Sequence, residues 1–546
     1  MIGVLAAAAD HGVVEEFFEL FKTPWEYYRR GREYPIVLCA QPCDLRDIKG
    51  SLVIVYGSGV EDSGVQRAQG SDDVLMSKGQ LLPIYRGRTT FTNGNRDLLV
   101  DRASGAPAIA TMPSNRGITY RIGYDLFREI RHLLTVGQPA KHAAIPSLEL
   151  HIELLRDLIR STKLPFAEIP PVPYGFELTA CLTHDVDHPG IRFHKWDHTV
   201  LGFLYRSLLG SAIDLCRNRT SLAQVLRNWQ AALTLPLVYL GWAEDFWGRF
   251  DCYVEIEAGC ASTFFAIPFG NRPGRSENGV APKRRAAAYG ASDIADKLRR
   301  LVAAKCEIGL HGIDAWIDSS AGRKELGIIR AVTSADEIGT RMHWLCFDEQ
   351  SPVALQEAGA SYDSTMGYNE TIGFRAGTAQ AYKPLNVTKL LELPLTIMDT
   401  ALFYPAYLHL SRDTAAAKIG EIVDNTARYG GCVTVNWHDR SIAPERLWTD
   451  TYVHLLADLK EKRAWFGTAA QVTKWFRARR SARFIPDADG NVQVALPNCG
   501  ESVPALTLRT YSPPDMQPID ICLSPLSSPV TLWNTTVCDE TEMQSR

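Results

Sequence analysis

The chain predicts an α/β fold: a parallel sheet closed into a distorted (β/α) barrel, preceded by an α/β domain and followed by a small β appendage. Three observations predict it. Between about residues 175 and 478, short apolar runs alternate with segments of helical spacing, the order that builds a parallel sheet. Polar side chains gather where those runs end, at the strand C-termini where barrel enzymes place their sites. A Pro-rich stretch from Leu164 to Pro173 reads as a linker between this part and the first 165 residues.

The bounds are consistent with two or three domains, since 546 residues exceed one ordinary domain. Formal charge is −4, with no basic patch to argue for nucleic acid and no like-charge block. The apolar start Met1-Ile2-Gly3-Val4-Leu5-Ala6 lacks a basic leader and soon meets Asp10-His11. Val200 to Leu215 comes nearest to a membrane span but is broken by Arg206 and Asp214. The 12 cysteines form no CxxC pair, and Cys39, Cys181, Cys306 and Cys432 sit inside apolar runs as buried thiols do. The expectation is a soluble, cytoplasmic protein with reduced cysteines.

In the first domain, 1–165, helical spacing covers Val13 to Arg29. Tyr34 to Cys39 and Leu52 to Gly57 read as strands, with Leu98–Val100 and Ala108–Thr111 as two more. Tyr124 to Val136 and Ser147 to Leu158 read as helices. Gly57-Ser58-Gly59 has neither the third glycine nor the Lys-Thr of a nucleotide loop. The second domain, 175–478, opens with the apolar run Phe176 to Leu182. A Leu- and Trp-rich helical insertion spans about 200–250. Strands follow at Ala261–Pro268, Cys306–His311, Leu390–Pro394 and Gly431–His438. Helices are expected at Ser292–Ala304, Ser334–Arg341, after Ser351, at Thr449–Lys462 and at Ala469–Ala478. The third domain, 482–546, has short alternating stretches after a turn at Asp487–Asn491. A loose tail is expected beyond about Pro525.

The chemistry centres on Thr183-His184-Asp185-Val186-Asp187-His188 at the end of the first barrel strand. On a strand, Asp185 and Asp187 point to one side, and two carboxylates so placed repel unless a cation or a shared proton relieves them. A bound metal, a proton-sharing pair and a solvated turn all account for the pattern. His311, His438-Asp439 and Arg341, taken as the end of a helix, add candidate groups. Carboxylate plus imidazole is a ligand set for Zn²⁺ or a related divalent ion, which polarises a carbonyl and activates water.

These residues carry a resemblance. The stretch 176–475 resembles the polysaccharide deacetylase family (carbohydrate esterase family four, the NodB homology domain). Thr183-His184-Asp185-Val186-Asp187 stands for its first motif, in a His-Asp-Val-Asp variant. Glu307-Ile308-Gly309-Leu310-His311-Gly312 stands for the second. Gly339-Thr340-Arg341-Met342-His343 ahead of Tyr362-Asp363-Ser364 stands for the third, and Val433-Thr434-Val435-Asn436-Trp437-His438 for the last.

The resemblance implies a NodB-type barrel and a metal-dependent hydrolase that removes an N-acetyl group from a sugar or polysaccharide precursor. In it Asp185 is the base, Arg341 its ion-pair partner and His438 the acid. Asp187 and His311 are metal ligands, with Zn²⁺ foremost and Co²⁺, Ni²⁺ or Mn²⁺ as alternatives. The family's second histidine is replaced by Ala315. Asp314, His188 or His198 then stands as the third ligand, and the choice stays open. Arg375 in Gly373–Thr378 is a candidate contact to an anionic or polar sugar group, and Trp437 a candidate stacking face. A non-catalytic sugar-binding or assembly module, or a hydrolase of another non-peptide C–N bond, is the alternative.

Overall fold

The computed structural model describes residues 1–42, 45, 48–57, 65–67, 74–114, 117–195, 197–217, 221–276, 278–486, 492–496 and 503–523. The turn expected at Asp487–Asn491, the tail beyond Pro525 and part of Gly57-Ser58-Gly59 lie outside the described residues. The chain divides into two compact units, not three: 1–132 with 147–175 and 474–546, and 133–146 with 176–473.

In the first unit a six-stranded sheet runs in the order 109–114, 117–122, 52–56, 36–39, 2–5, 25–27, parallel apart from its first pair. The helix expected over Val13–Arg29 is His11–Phe21. Lys22 ends it in the left-handed region at φ 50°, Pro24 follows, and Trp25–Tyr27 pairs as a strand instead. The Pro-rich stretch is no linker. Phe166–Glu168 is a buried strand paired with Leu506–Tyr511, which pairs in turn with Pro518–Leu523. The expected separate β appendage is therefore part of this unit. Glu168 fixes the pairing, accepting from Tyr511 Oη at 2.7 Å and from Arg156 Nη2 at 2.9 Å.

The second unit is mixed α/β around a curled parallel sheet, half of a barrel. Its strands are β1 (Thr179–Val186), β2 (Ser262–Ala266), β3 (Glu307–Gly312), β4 (Thr340–Met342), β5 (Ile397–Met398), β6 (Cys432–Asn436) and β7 (Trp465–Phe466). Their order is β4-β3-β2-β1-β6-β5, with β7 beside the start of β1. Every residue of β1 is buried, as expected of a central parallel strand covered on both faces. Beyond β4 the ladder thins to single bridges, Thr340 to Asp363 and Asp363 to Glu392. Leu390–Pro394, expected as a strand, contributes only isolated bridges through Glu392, to Asp363 and to Tyr382.

A second correction bears on the site. The helix expected at Ser334–Arg341 lies earlier, at Ser319–Thr333. Asp318 caps its start, accepting from Ser320 N at 2.8 Å and Ala321 N at 3.1 Å, and Ser334 ends it at φ 60°. Arg341 is thereby on strand β4, with His311 as its register partner.

The insertion is helical, as expected. His198–Cys216, interrupted by a π segment at Tyr205–Gly210, is followed by Leu222–Leu240 with a Ser221–Gln224 capping box. By length and composition alone His198–Cys216 is long and apolar enough to cross a membrane, and no other such helix occurs among the described residues.

The loop after β3 is held by Glu325 of the helix Ser319–Thr333. Its two carboxylate oxygens accept from Ile313 N at 2.9 Å and Asp314 N at 2.8 Å. Burial pushes the Glu325 carboxyl up to about 7. Removing it strands two backbone donors, each costing about 1–3 kcal/mol. Glu325→Ala should therefore lower unfolding free energy by about 2–4 kcal/mol in urea denaturation. Glu325→Gln, which keeps one acceptor, should lose less; equal stability of all three proteins would contradict this account of the loop.

Candidate metal centre

The site is built at the C-terminal ends of β1, β3, β4 and β6. Alternation along β1 turns Thr183, Asp185 and Asp187 to one side and His184 to the other. His184 is buried against Glu257, 2.8 Å away, and its Nδ1 lies 2.7 Å from the Trp437 carbonyl. It belongs to the packing behind the sheet.

Arg341 lies beneath the site, fully buried, with its guanidinium 4.6 Å above the Phe265 ring. Gly309 makes room for that ring, because a Cβ there would stand 2.6 Å from it. Arg341 donates to the Ser364 carbonyl at 2.9 Å, Ser364 Oγ at 2.8 Å, Thr183 Oγ1 at 2.5 Å and Asp185 Oδ1 at 3.2 Å. Asn436 completes the cradle: its Nδ2 donates to Asp185 Oδ2 at 2.7 Å, and its Oδ1 accepts from Asp185 N at 3.1 Å. Both oxygens of Asp185 are thus tied to donors.

Asp187 is different. Its Oδ1 has no hydrogen-bond partner among the described residues, yet it lies 3.4 Å from His311 Nε2 and 3.5 Å from His343 Nε2. These three residues offer ligand atoms within 4.8 Å of one another, a group able to hold a metal ion. Burial opposes the Asp187 charge, but His343, His311 and His438 hold its carboxyl well below the usual range.

His311 Nδ1 lies 3.0 Å from the Arg341 carbonyl, an acceptor only, so Nδ1 carries the proton and Nε2 presents its lone pair to Asp187. Burial pushes the His343 imidazole down to about 3, which leaves it neutral as a ligand must be. The donor set therefore fits a divalent cation, with hard carboxylate and borderline imidazole ligands. His343 is aimed by its backbone. Trp344 and Leu345, the next two residues, both stand in the left-handed region at φ 66° and 51°, and Arg285 Nη2 donates to the His343 carbonyl at 2.8 Å. Two successive non-glycine residues there store about 1–3 kcal/mol each.

On the other side of Asp187 stands His438, its Nε2 3.9 Å from Asp187 Oδ2. Asp399 orients it, with Oδ1 2.6 Å from Nδ1 and Oδ2 accepting from His438 N at 2.7 Å; Ser441 Oγ also donates to Asp399. Burial opposes protonation of His438, but Asp399 outweighs it and raises the imidazole to about 9. Asp439 is buried beside them, and burial together with the Asp187 charge pushes it up to about 7.

Asp185, Asp187, His311, Arg341 and His438 are thus brought into one site. The third group of the cluster is His343, which the sequence reading passed over, although strand alternation places it on the same side as Arg341. Asp314 lies outside the cluster; its Oδ1 accepts from Arg275 N at 2.7 Å. His188 is likewise outside, its Nδ1 3.1 Å from His194 Nε2, and His198 Nε2 lies 3.5 Å from Thr199 Oγ1. One expected sugar contact also needs correction. Trp437 is fully buried and stacked on Tyr452 with ring centroids 5.1 Å apart, so it has no face to offer a ligand. Arg375, the other, donates to the Gly367 carbonyl at 2.8 Å. Asn436 and Asp399 were not anticipated either.

No family model matches the chain, and no curated protein does. Among solved structures it is similar to a protein from Mycobacterium smegmatis provisionally described as a polysaccharide deacetylase. Identity is 18%, covering 57% of this chain and 96% of that one, with a TM-score of 0.34. It is also similar to Puue allantoinase, at 15% identity over 57% and 93% of the two chains, TM-score 0.33. A mutant CE4 family pseudoenzyme with restored enzymatic activity follows at 12% identity over 55% and 68%, TM-score 0.27. At these scores the likeness says nothing of activity.

Metal content distinguishes the ligand sets. Elemental analysis of purified protein should find about one divalent ion per chain, lost in Asp187→Ala, His311→Ala and His343→Ala. Asp314→Ala should retain it. Loss in Asp314→Ala with retention in His343→Ala would return the third ligand to Asp314.

Proposed function

We propose that the chain is a metal-dependent hydrolase that cleaves the amide C–N bond of an N-acetylated sugar or polysaccharide precursor. One observation carries the reading. A cluster of one unsatisfied carboxylate oxygen and two imidazoles is flanked by a second carboxylate held by Arg341 and by an imidazolium held by Asp399. The resemblance of the motifs suggests the sugar, and the barrel-like placement of the groups at strand ends agrees with it.

A divalent ion held by Asp187, His311 and His343 would supply a Lewis acid for the acyl carbonyl and activate water. The side chains do the rest. Asp185 Oδ2 lies 3.8 Å from His311 Nε2, beside the cluster, and takes the proton of the attacking water. Arg341 and Asn436 fix the carboxylate in place, so its orientation is set before substrate arrives. His438, protonated below about pH 9, gives its proton to the departing amine. Asp399 holds the imidazole with Nε2 free for that transfer. Hydrolysis of a different C–N bond is the second reading the same groups serve, and substrate screening separates the two.

Acetate release from N-acetylated sugars is the direct test. Asp185→Asn should fold, keep its metal and lose about 10²–10⁴-fold in rate. Metal-loaded protein that releases no acid from any acylated sugar would leave a binding module as the better account.

The pH profile tests His438 independently. The general acid must be protonated, so the rate should fall as pH rises through the His438 pKa. Asp399→Asn removes the charge that stabilises the imidazolium and should move this alkaline limb down by about 1–3 pH units. An alkaline limb unmoved in that variant would exclude His438 as the group responsible.

A further inference from the structure

A cleft of about 540 Å³ opens among the loops that follow β1, β2 and β6. Its walls include Arg206, Lys283, Arg284, Arg440 and Arg446, and a single carboxylate, Asp197. His188, on the wall, directly follows Asp187, and Arg440 comes two residues after His438. The cleft and the metal cluster are thus served by the same loops.

Ion pairing leaves this charge largely uncompensated. Arg440, 4% exposed and 4.4 Å over the Trp247 ring, has Glu445 at 3.1 Å. Among the described residues Arg206, Lys283, Arg284 and Arg446 have no acidic side chain within ion-pair distance. Arg206 Nε is buried with no hydrogen-bond partner among the described residues. Burial and the neighbouring charges of Arg446 and Arg206 push the Arg440 guanidinium down to about 9, against the pull of Glu445. Mutually repelling guanidiniums are costly to gather unless an anion joins them, and guanidinium forks suit the oxygens of phosphate.

We propose that this cleft is an oxyanion subsite that binds a phosphate or diphosphate carried by the sugar substrate. The volume suits a diphosphate with a flanking group. This deepens the hydrolase reading and rests on it for the fate of the ligand, but not for its binding. The phosphate has two possible carriers, a nucleoside and a lipid. The helical run that bears Arg206 exposes Leu201, Tyr205 and Leu209, and the helix after it exposes Leu233, each more than half accessible. An apolar carrier would therefore find an apolar surface beside its phosphate.

Inorganic pyrophosphate is the first probe, titrated calorimetrically into the full chain. Wild type should bind it, and Arg206→Gln and Arg446→Gln should each weaken binding tenfold or more. Arg206→Lys, which keeps the charge, should recover part of the loss and guards against misfolding. His343→Ala, lacking a ligand of the cluster, should still bind. No binding by wild type, or binding lost in His343→Ala yet unchanged in both arginine variants, overturns the assignment.

Acetate release then compares a nucleoside-diphosphate N-acetyl sugar, a lipid-diphosphate N-acetyl sugar in vesicles, and a neutral N-acetylated oligosaccharide. A tenfold or greater preference in kcat/KM for either phosphorylated form supports the subsite and names its carrier. Equal turnover of the neutral sugar overturns it as a substrate site. Pyrophosphate binding that obeys the arginine variants, with no release from any of the three, supports the anion site and removes the hydrolase reading instead.

Discussion

The buried Arg341 is the constraint on which the site depends. A guanidinium taken from water must have its donors satisfied, and here four oxygens do so: two from Ser364, one from Thr183 and one from Asp185. Those partners come from β1 and from the segment bridged to β4, so the ion pair ties the strand bearing the carboxylates to the far side of the curled sheet. Phe265 on β2 supports the flat face of the guanidinium. The backbone carbonyl of the same arginine accepts from His311 Nδ1 and decides which ring nitrogen faces Asp187. One residue therefore positions Asp185 with its side chain and His311 with its main chain.

The sequence revealed the groups better than their supports. Asp185 and Asp187 were legible because alternation on a strand puts them on one side, and His311 and His438 because they end apolar runs. His343 is equally open to that reasoning, but helical spacing over Ser334–Arg341 hides the strand that precedes it. Helical spacing there is broken by Ser334 in the left-handed region, a conformation that composition does not announce. Asn436 and Asp399 could not be seen at all. Their roles depend on register between β1 and β6, and on the short helix Asp399–Phe403 after β5, whose first residue meets His438 across 39 residues.

The domain boundaries failed for a related reason. The prolines around Phe166–Glu168 read as a linker because proline interrupts regular structure. The four residues between Pro165 and Pro170 are buried, and the partner strand of Phe166–Glu168 lies more than 300 residues further on. Long-range pairing of this kind leaves no local mark. Trp437 illustrates the opposite error: its place beside His438 suggested a sugar platform, yet alternation on β6 sends it to the face opposite Asn436, where Tyr452 and Phe403 enclose it.

The two aspartates divide their work by environment. The sequence left open which is base and which is ligand. Asp185 receives Arg341 on one oxygen and Asn436 on the other, so its plane is fixed while each oxygen keeps a lone pair to accept a proton. Among the described residues Asp187 keeps an oxygen without any donor, while the His311 Nε2 lone pair faces it and the His343 imidazole stands 3.5 Å away. Lone pairs facing a carboxylate repel unless a positive charge lies among them, and protonating both imidazoles is opposed by the burial that holds His343 near 3. A divalent cation held there would relieve the repulsion at Asp187, whereas Asp185 already has Arg341 and Asn436 as donors. In the proposed hydrolase the ligand role therefore falls to Asp187 and proton transfer to Asp185, a split that follows from their neighbours and not from their order in the motif.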